Sequence, residues 1–238
     1  MTISSQDASE ATLREAFVKL LNEEDEIDLI VDVVTIEPPM SAPRLCAFDG
    51  HRSAIFRKNQ PDVYLLAQRS PMSPPFVEVV GEVKKTSVAA GNEEMGQALS
   101  QGFEVFRHQP NRRFLYAFFT NFNVIIYFKI EAREEIARPD PNVPSDFIIN
   151  MSDTLAFTNA DSLQFLMHLM CGSKAERGFV SPPMYQGVDV EECLGSGATS
   201  QVWKVKYQSQ PLVLKEYLPS FQGLSALWLS LFDRPLIA

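Results

Sequence analysis

Pro61-Asp62 heads the apolar run Val63-Tyr64-Leu65-Leu66, and Val77-Glu78-Val79-Val80-Gly81-Glu82-Val83-Lys84 makes up the next one. A Pro/Ser-rich turn, Ser70 to Pro75, lies between them. Two short β-rich runs separated by a turn are expected to pair as a hairpin. Alternate side chains of a strand share a face, so Glu82 and Lys84 point the same way while Val83 enters the core. In the paired hairpin Asp62 joins them. Two carboxylates and an ammonium at one point can hold a divalent cation and cut a phosphodiester. The plainer alternative is that Asp62 opens a turn. Glu82 and Lys84 are then a solvated face, which Glu78 and Val80 continue.

At 238 residues the chain can hold one large or two small domains, and a hydrophobic content of 45% supports a packed core. No apolar run reaches the roughly 20 residues that cross a bilayer, so no membrane association is expected. The first residues have neither the basic start nor the apolar stretch of a secretory signal. Cys46, Cys171 and Cys193 are scattered, as buried thiols of a reduced compartment are. The expected location is intracellular, in cytoplasm or nucleus; oligomeric state is not legible. A net charge of −9 argues against indiscriminate nucleic-acid binding, yet residues 41–113 carry ten basic and seven acidic groups. Arg52, Arg57, Lys58, Lys85, Arg107, Arg112 and Arg113 are candidate phosphate contacts there, with a solvated mixed surface as the equal alternative.

Leu13, Phe17, Leu20 and Leu21 recur at helical spacing, predicting a helix from Ser9 to Leu21. Residues 27–36 read as a strand, as do 44–48 and 54–57 around Asp49-Gly50. Residues 92–107 read as a helix with acids in its first turn. Residues 113–120 and 124–130 form a hairpin through Asn121-Phe122-Asn123. The segment 133–187 reads as a linker containing one helix, and a new unit begins at 188.

That unit carries a second signature. Gly195-Ser196-Gly197 is followed by Val202, and Leu212-Val213-Leu214 leads into Lys215. The pattern resembles the glycine-rich loop and third-strand lysine of protein kinases, which implies that Gly195 and Gly197 approach ATP phosphates, Val202 covers adenine and Lys215 pairs with the α/β-phosphates. After Lys215 there is no His-Arg-Asp loop and no Asp-Phe-Gly. The lobe therefore reads as truncated, and kinase activity is not expected of this chain. A β-hairpin with a glycine turn is the plain alternative.

The order of elements around Asp62, Glu82 and Lys84 resembles the PD-(D/E)xK nuclease superfamily, over roughly residues 8–130. Together with the second signature, the chain resembles the fungal-type protein kinases and crinkler-like effector proteins. Arg57-Lys58-Asn59-Gln60-Pro61-Asp62 matches the basic lead-in to the first acid, and Gln97 sits at the helical glutamine of many relatives. Gln101 stands where those relatives carry tyrosine. The resemblance implies an α/β (α+β) fold. A mixed sheet of restriction-endonuclease type flanked by helices spans 1–132, and a small β-rich kinase N-lobe fragment spans 188–238. It further implies that Asp62 and Glu82 bind Mg²⁺ and that Lys84 stabilises the transition state. Gln97 would position a phosphate or a metal-bound water, and Glu15, or equally Glu10, would supply an extra acid.

Three functions follow as expectations: a Mg²⁺-dependent nuclease with an incomplete ATP-binding lobe; an ATP-binding kinase-family protein whose front module is non-catalytic; or an effector that binds nucleic acid or a protein without cutting. His51, His108 and His168 form no sequence pattern and read as structural.

Overall fold

The computed structural model describes residues 9–22, 44–52, 55–56, 60–68, 70–109, 111–136, 139–182, 187–196 and 200–217. The expected strand at 27–36, the basic Arg57 and Lys58, Gly197 and the apolar tail after 217 lie outside these residues.

Helix α1 (Glu10–Asn22) forms where the 3.6-residue spacing of Leu13, Phe17 and Leu21 gives one apolar stripe, and all three are buried. Ser9 begins it, its hydroxyl accepting from the Thr12 amide. Strand β1 (Leu45–Asp49) pairs antiparallel with β2 (Val63–Ala67), which pairs antiparallel with β3 (Val79–Val83). The partner of β1 is therefore β2; of the strand expected at 54–57 the structure describes residues 55 and 56, which lie in no strand. Gly50 fixes this: its amide donates to the Asp62 carbonyl, and a Cβ there would lie 1.8 Å from the Pro61 oxygen. Beside β1 the Asn22 side chain both accepts from Ala47 N–H and donates to its carbonyl, tying the end of α1 to the strand.

Helix α2 (Asn92–His108) carries the chain over the sheet from β3 to β4 (Phe114–Thr120), which lies parallel to β3. β5 (Val124–Ala132) returns antiparallel through the 121–123 turn, where Phe122 takes a left-handed conformation (φ 66°). The segment expected as a linker supplies more sheet. β6 (Phe147–Met151) and the short β7 (Leu155–Ala156) both pair with β5, completing a mixed seven-stranded sheet. Its prolines and charges hide one anchor: Phe147 is buried and meets Phe103 and Phe106 of α2 edge-on or tilted. Helix α3 (Ala160–Cys171) is capped by Asn159, which accepts from the Asp161 and Ser162 amides.

The result is three layers in a mixed α/β arrangement. Tyr64, Leu66 and Val80 face α2 with Ala98 and Val105, while Val63, Leu65, Val79 and Val83 face α1 and α3 with Phe17 and Leu169. Gly81 sits where a Cβ would lie 2.1 Å from the ring of the fully buried Phe118. We expect Gly81→Ala to cost about 1–3 kcal/mol by overpacking, read as a lowered urea midpoint.

A second, three-stranded antiparallel sheet follows, of β8 (Val188–Ser196), β9 (Ser200–Tyr207) and β10 (Gln210–Tyr217). One face, with Val190, Trp203, Val205 and Leu214, packs against Phe76 of the first unit, and Ser73 donates to the Val190 carbonyl. No helix among the described residues is long and apolar enough to cross a membrane.

Three charged groups lie far from where a solvated surface would put them. Glu78 is wholly buried and ion-paired with the equally buried Arg177. Arg112, a candidate phosphate contact by sequence, is interior and donates to the carbonyls of Val77, Glu78, Phe114 and Arg177. Arg107 is tied to Glu104 and Asn142. Lys85 and Arg113 remain exposed.

Candidate functional site

The β2–β3 register sets the site. Val63 lies opposite Gly81, so one further step places Asp62 opposite Glu82, beyond the printed end of the ladder. Both belong to the α2 side of the sheet, as does Lys84 two residues on. Their side chains line one open cleft of about 580 Å³ between the start of α1 and α2.

Asp62 and Glu82 are each only 4% exposed. Asp62 Oδ2 accepts from the Val83 amide at 3.0 Å. Its Oδ1 meets His51 Nε2 at 2.8 Å and Arg14 Nη1 at 3.4 Å. Glu82 Oε1 lies 2.5 Å from Lys84 Nζ, and Oε2 accepts from Gln101 Nε2. Lys84 also reaches Glu10 at 3.2 Å.

Burial, then the charge of Asp62, raises the pKa of Glu82 above the ordinary carboxyl value, against the pull of Lys84 and Gln101. Burial works against the Lys84 ammonium too, but Glu82, Asp62 and Glu10 outweigh it and hold its pKa up at about 12. Both shifts describe one condition: the acids crowd together and the lysine is their counter-ion. A carboxyl whose folded pKa is raised stabilises the fold most below its unfolded pKa, and that contribution falls as pH rises through the folded value. Glu82→Gln, in chelator at neutral to mildly alkaline pH, is therefore expected to raise Tm by about 2–4 °C. The gain should shrink as pH is lowered toward the carboxyl range.

The structure brings Asp62, Glu82 and Lys84 together and puts Gln97 on the exposed rim of the same cleft. Glu15 goes elsewhere: it faces outward and pairs with Arg52. Glu10, one turn nearer the helix start, is the α1 acid that reaches Lys84. The glutamine touching Glu82 is Gln101, not Gln97. It lies on the buried face of α2 with Ala98 and Val105, and a polar amide on an apolar stripe is the signal that could have singled it out. Arg14, Asp49 and His51 were also not singled out for the site. Arg14 Nε donates to Asp49 Oδ1 at 2.8 Å, locking α1 to the end of β1.

In the second sheet Val202 lies opposite both Gly195 and Lys215, so the three cross neighbouring strands on the face turned away from Phe76. A Cβ on Gly195 would meet no described atom within 4 Å.

A family described as "Domain of unknown function (DUF6826)" matches residues 23–112. That span includes Asp62, Glu82, Lys84 and Gln101, and excludes α1 and the second sheet. No curated protein and no solved structure matches the chain.

Proposed function

We propose that the seven-stranded unit is a divalent-metal-dependent phosphodiesterase acting on nucleic acid, of the PD-(D/E)xK type. The observation that carries this reading is the meeting of Asp62, Glu82 and Lys84 in one cleft. Support comes from the order of elements: a helix, an antiparallel three-stranded meander, a crossover helix and a parallel fourth strand, as in the superfamily core. The finer restriction-endonuclease-type assignment rests on that order.

The residues suit a divalent cation. Among the described residues no three His, Cys, Asp or Glu side chains form a ready ligand set. Mg²⁺, however, commonly takes only one or two carboxylates and fills its octahedron with water and substrate oxygens. Asp62 and Glu82 supply two, and the burial and the neighbouring Asp62 charge that raise the pKa of Glu82 are both costs that a cation between the two carboxylates would offset. The buried Gln101 Oε1 has no partner. A cation held by Asp62 and Glu82 would supply a Lewis acid and an acidified water for attack on phosphorus. Lys84, protonated throughout the physiological range, would offset charge growing on the phosphoryl oxygens. Gln101 holds the Glu82 carboxylate in place, and the Val83 amide holds that of Asp62.

The test is cleavage of single- and double-stranded DNA and RNA with Mg²⁺ or Mn²⁺. Cleavage that survives intact in Asp62→Asn protein would overturn the reading. One observation favours a second reading, a non-cutting recognition module: every oxygen of Asp62 and Glu82 already has a protein donor. Tight oligonucleotide binding without cleavage under any divalent metal would select it.

The second sheet is proposed to retain nucleotide binding, since Val202 and Lys215 share one face. The front-unit-plus-lobe order resembles fungal-type kinases and crinkler-like effectors. An ATP-dependent rise in Tm, lost in Lys215→Met, is the expected result; no rise at saturating ATP would end that proposal.

A further inference from the structure

Arg14 lines the cleft yet has no place in the chemistry set out above, and its geometry is uneven. Nε lies 2.8 Å from Asp49 Oδ1, a normal charge-assisted bond to a carboxylate that is itself buried. Nη1 lies 3.4 Å from Asp62 Oδ1, long for such a bond, and shares that oxygen with His51. One side of the guanidinium is anchored, and the other rests loosely on the carboxylate that a metal would need.

From this asymmetry we infer that Arg14, anchored by Asp49, is a substrate-phosphate clamp that exchanges Asp62 for a phosphate oxygen when a divalent cation binds. The inference rests on the phosphodiesterase reading of the cleft. A cation on Asp62 competes with Arg14 for the same oxygen, and the 3.4 Å contact is the weaker of that oxygen's two. Asp49 takes only Nε, so the released Nη1 stays beside the cleft instead of swinging into solvent. Of the cleft's other carboxylates, Glu10 and Glu82 are already paired with Lys84, so the anion offered to Nη1 is the phosphate that arrives with the nucleic acid. A guanidinium suits this: it stays charged and its planar fork matches two phosphate oxygens, which an ammonium does not. The exchange also explains how Asp62 can be ion-paired without metal and still be available to it.

The experiment uses the full chain with Mn²⁺ as the metal probe, by calorimetry. A short fluorescein-labelled DNA duplex and the matching RNA serve as phosphate probes, by anisotropy in Ca²⁺ to suppress cutting. Arg14→Met alone would leave the buried Asp49 with only the longer 3.7 Å ion pair to Arg52, so the variant is the charge-neutral pair Arg14→Met with Asp49→Asn, beside Arg14→Lys. The double variant is expected to bind Mn²⁺ several-fold more tightly, because a competitor for Asp62 is gone. It should bind the oligonucleotides about 10-fold more weakly, with a log affinity versus log salt slope shallower by about one. In cleavage the loss should fall mainly on KM. Arg14→Lys should restore the salt slope but only part of the affinity. A purely structural role would lower Tm and leave slope and Mn²⁺ affinity alone, and a double variant that matches wild type in both overturns the assignment. Asp62→Asn separates the two readings: Mn²⁺ binding unchanged in it overturns the site and the clamp together. Binding lost in it, with the double variant like wild type, overturns the clamp alone.

Discussion

Arg177→Met is expected to cost about 3–5 kcal/mol of folding stability, the loss typical of stranding one partner of a buried ion pair. The Arg177 side chain is fully buried and its Nε lies 2.7 Å from Glu78 Oε2. Its Nη1 donates to the carbonyls of Leu169 and Gly172, so the same guanidinium closes the end of α3 onto the sheet. Methionine fills much of the volume but leaves Glu78 charged in an apolar interior, where its other oxygen already lacks a partner. Arg112 cannot readily take over. Its guanidinium is committed to four backbone carbonyls and the Gln109 side chain. Burial, aided by the charge of Arg177, already pulls its pKa down to about 9 in spite of Glu78. Against a usual total of about 5–15 kcal/mol, the single change removes a large share of the fold's stability. Adding Glu78→Gln should recover part of the loss, because the stranded charge goes with it. Urea midpoints of the three proteins are the check, and a single-variant cost under about 1 kcal/mol would show that the pair is not a stabilising feature.

That cluster marks where the sequence stops being readable. Residues whose position follows from periodicity were legible: Leu13, Phe17 and Leu21 place α1, and alternation about Val63 and Val83 places the hairpin. The parity of 62, 82 and 84 puts the three chemical side chains on one side of the sheet. What failed was the inference from polarity to exposure at three charged positions, though it held for Lys85 and Arg113. Arg112, Arg177 and Glu78 look like surface charges because single residues carry no record of a partner, and Arg177 and Glu78 are 99 positions apart. β6 was hidden for the related reason that its strand signal is short and sits among prolines, while its cause is the open edge of β5. The site's outer members were missed because they depend on tertiary approach. Arg14 reaches Asp49 and Asp62 across 35 and 48 positions. The choice between Glu10 and Glu15 turns on which face of α1 meets β3.

Lys84→Met is expected to lower kcat for phosphodiester cleavage by about 10²–10³, the loss seen when one preorganised donor to a developing anion is removed. The lysine is held between Glu82 and Glu10 and mostly shielded from water, so its charge acts in a poorly screened setting. Its charge does not depend on pH across the usable range, so the variant should be slower by the same factor at pH 6 and pH 9. Metal binding should survive, because Asp62 and Glu82 are intact. Loss of the ammonium leaves Glu82 with less compensation, which increases its demand for a cation and should tighten Mn²⁺ rather than weaken it. The pairing of a slow rate with undiminished metal affinity is what separates this role from a structural one. Lys84→Arg keeps the charge but cannot occupy the same point between two carboxylates, so it should recover only part of the rate. Asp62→Asn gives the opposite pattern, with metal affinity and cleavage lost together. If Lys84→Met cut within about threefold of wild type, the ammonium would be no more than a counter-ion for buried acids. The transition-state role would then have to pass to Arg14, the other cation among the described residues that line the cleft with these acids.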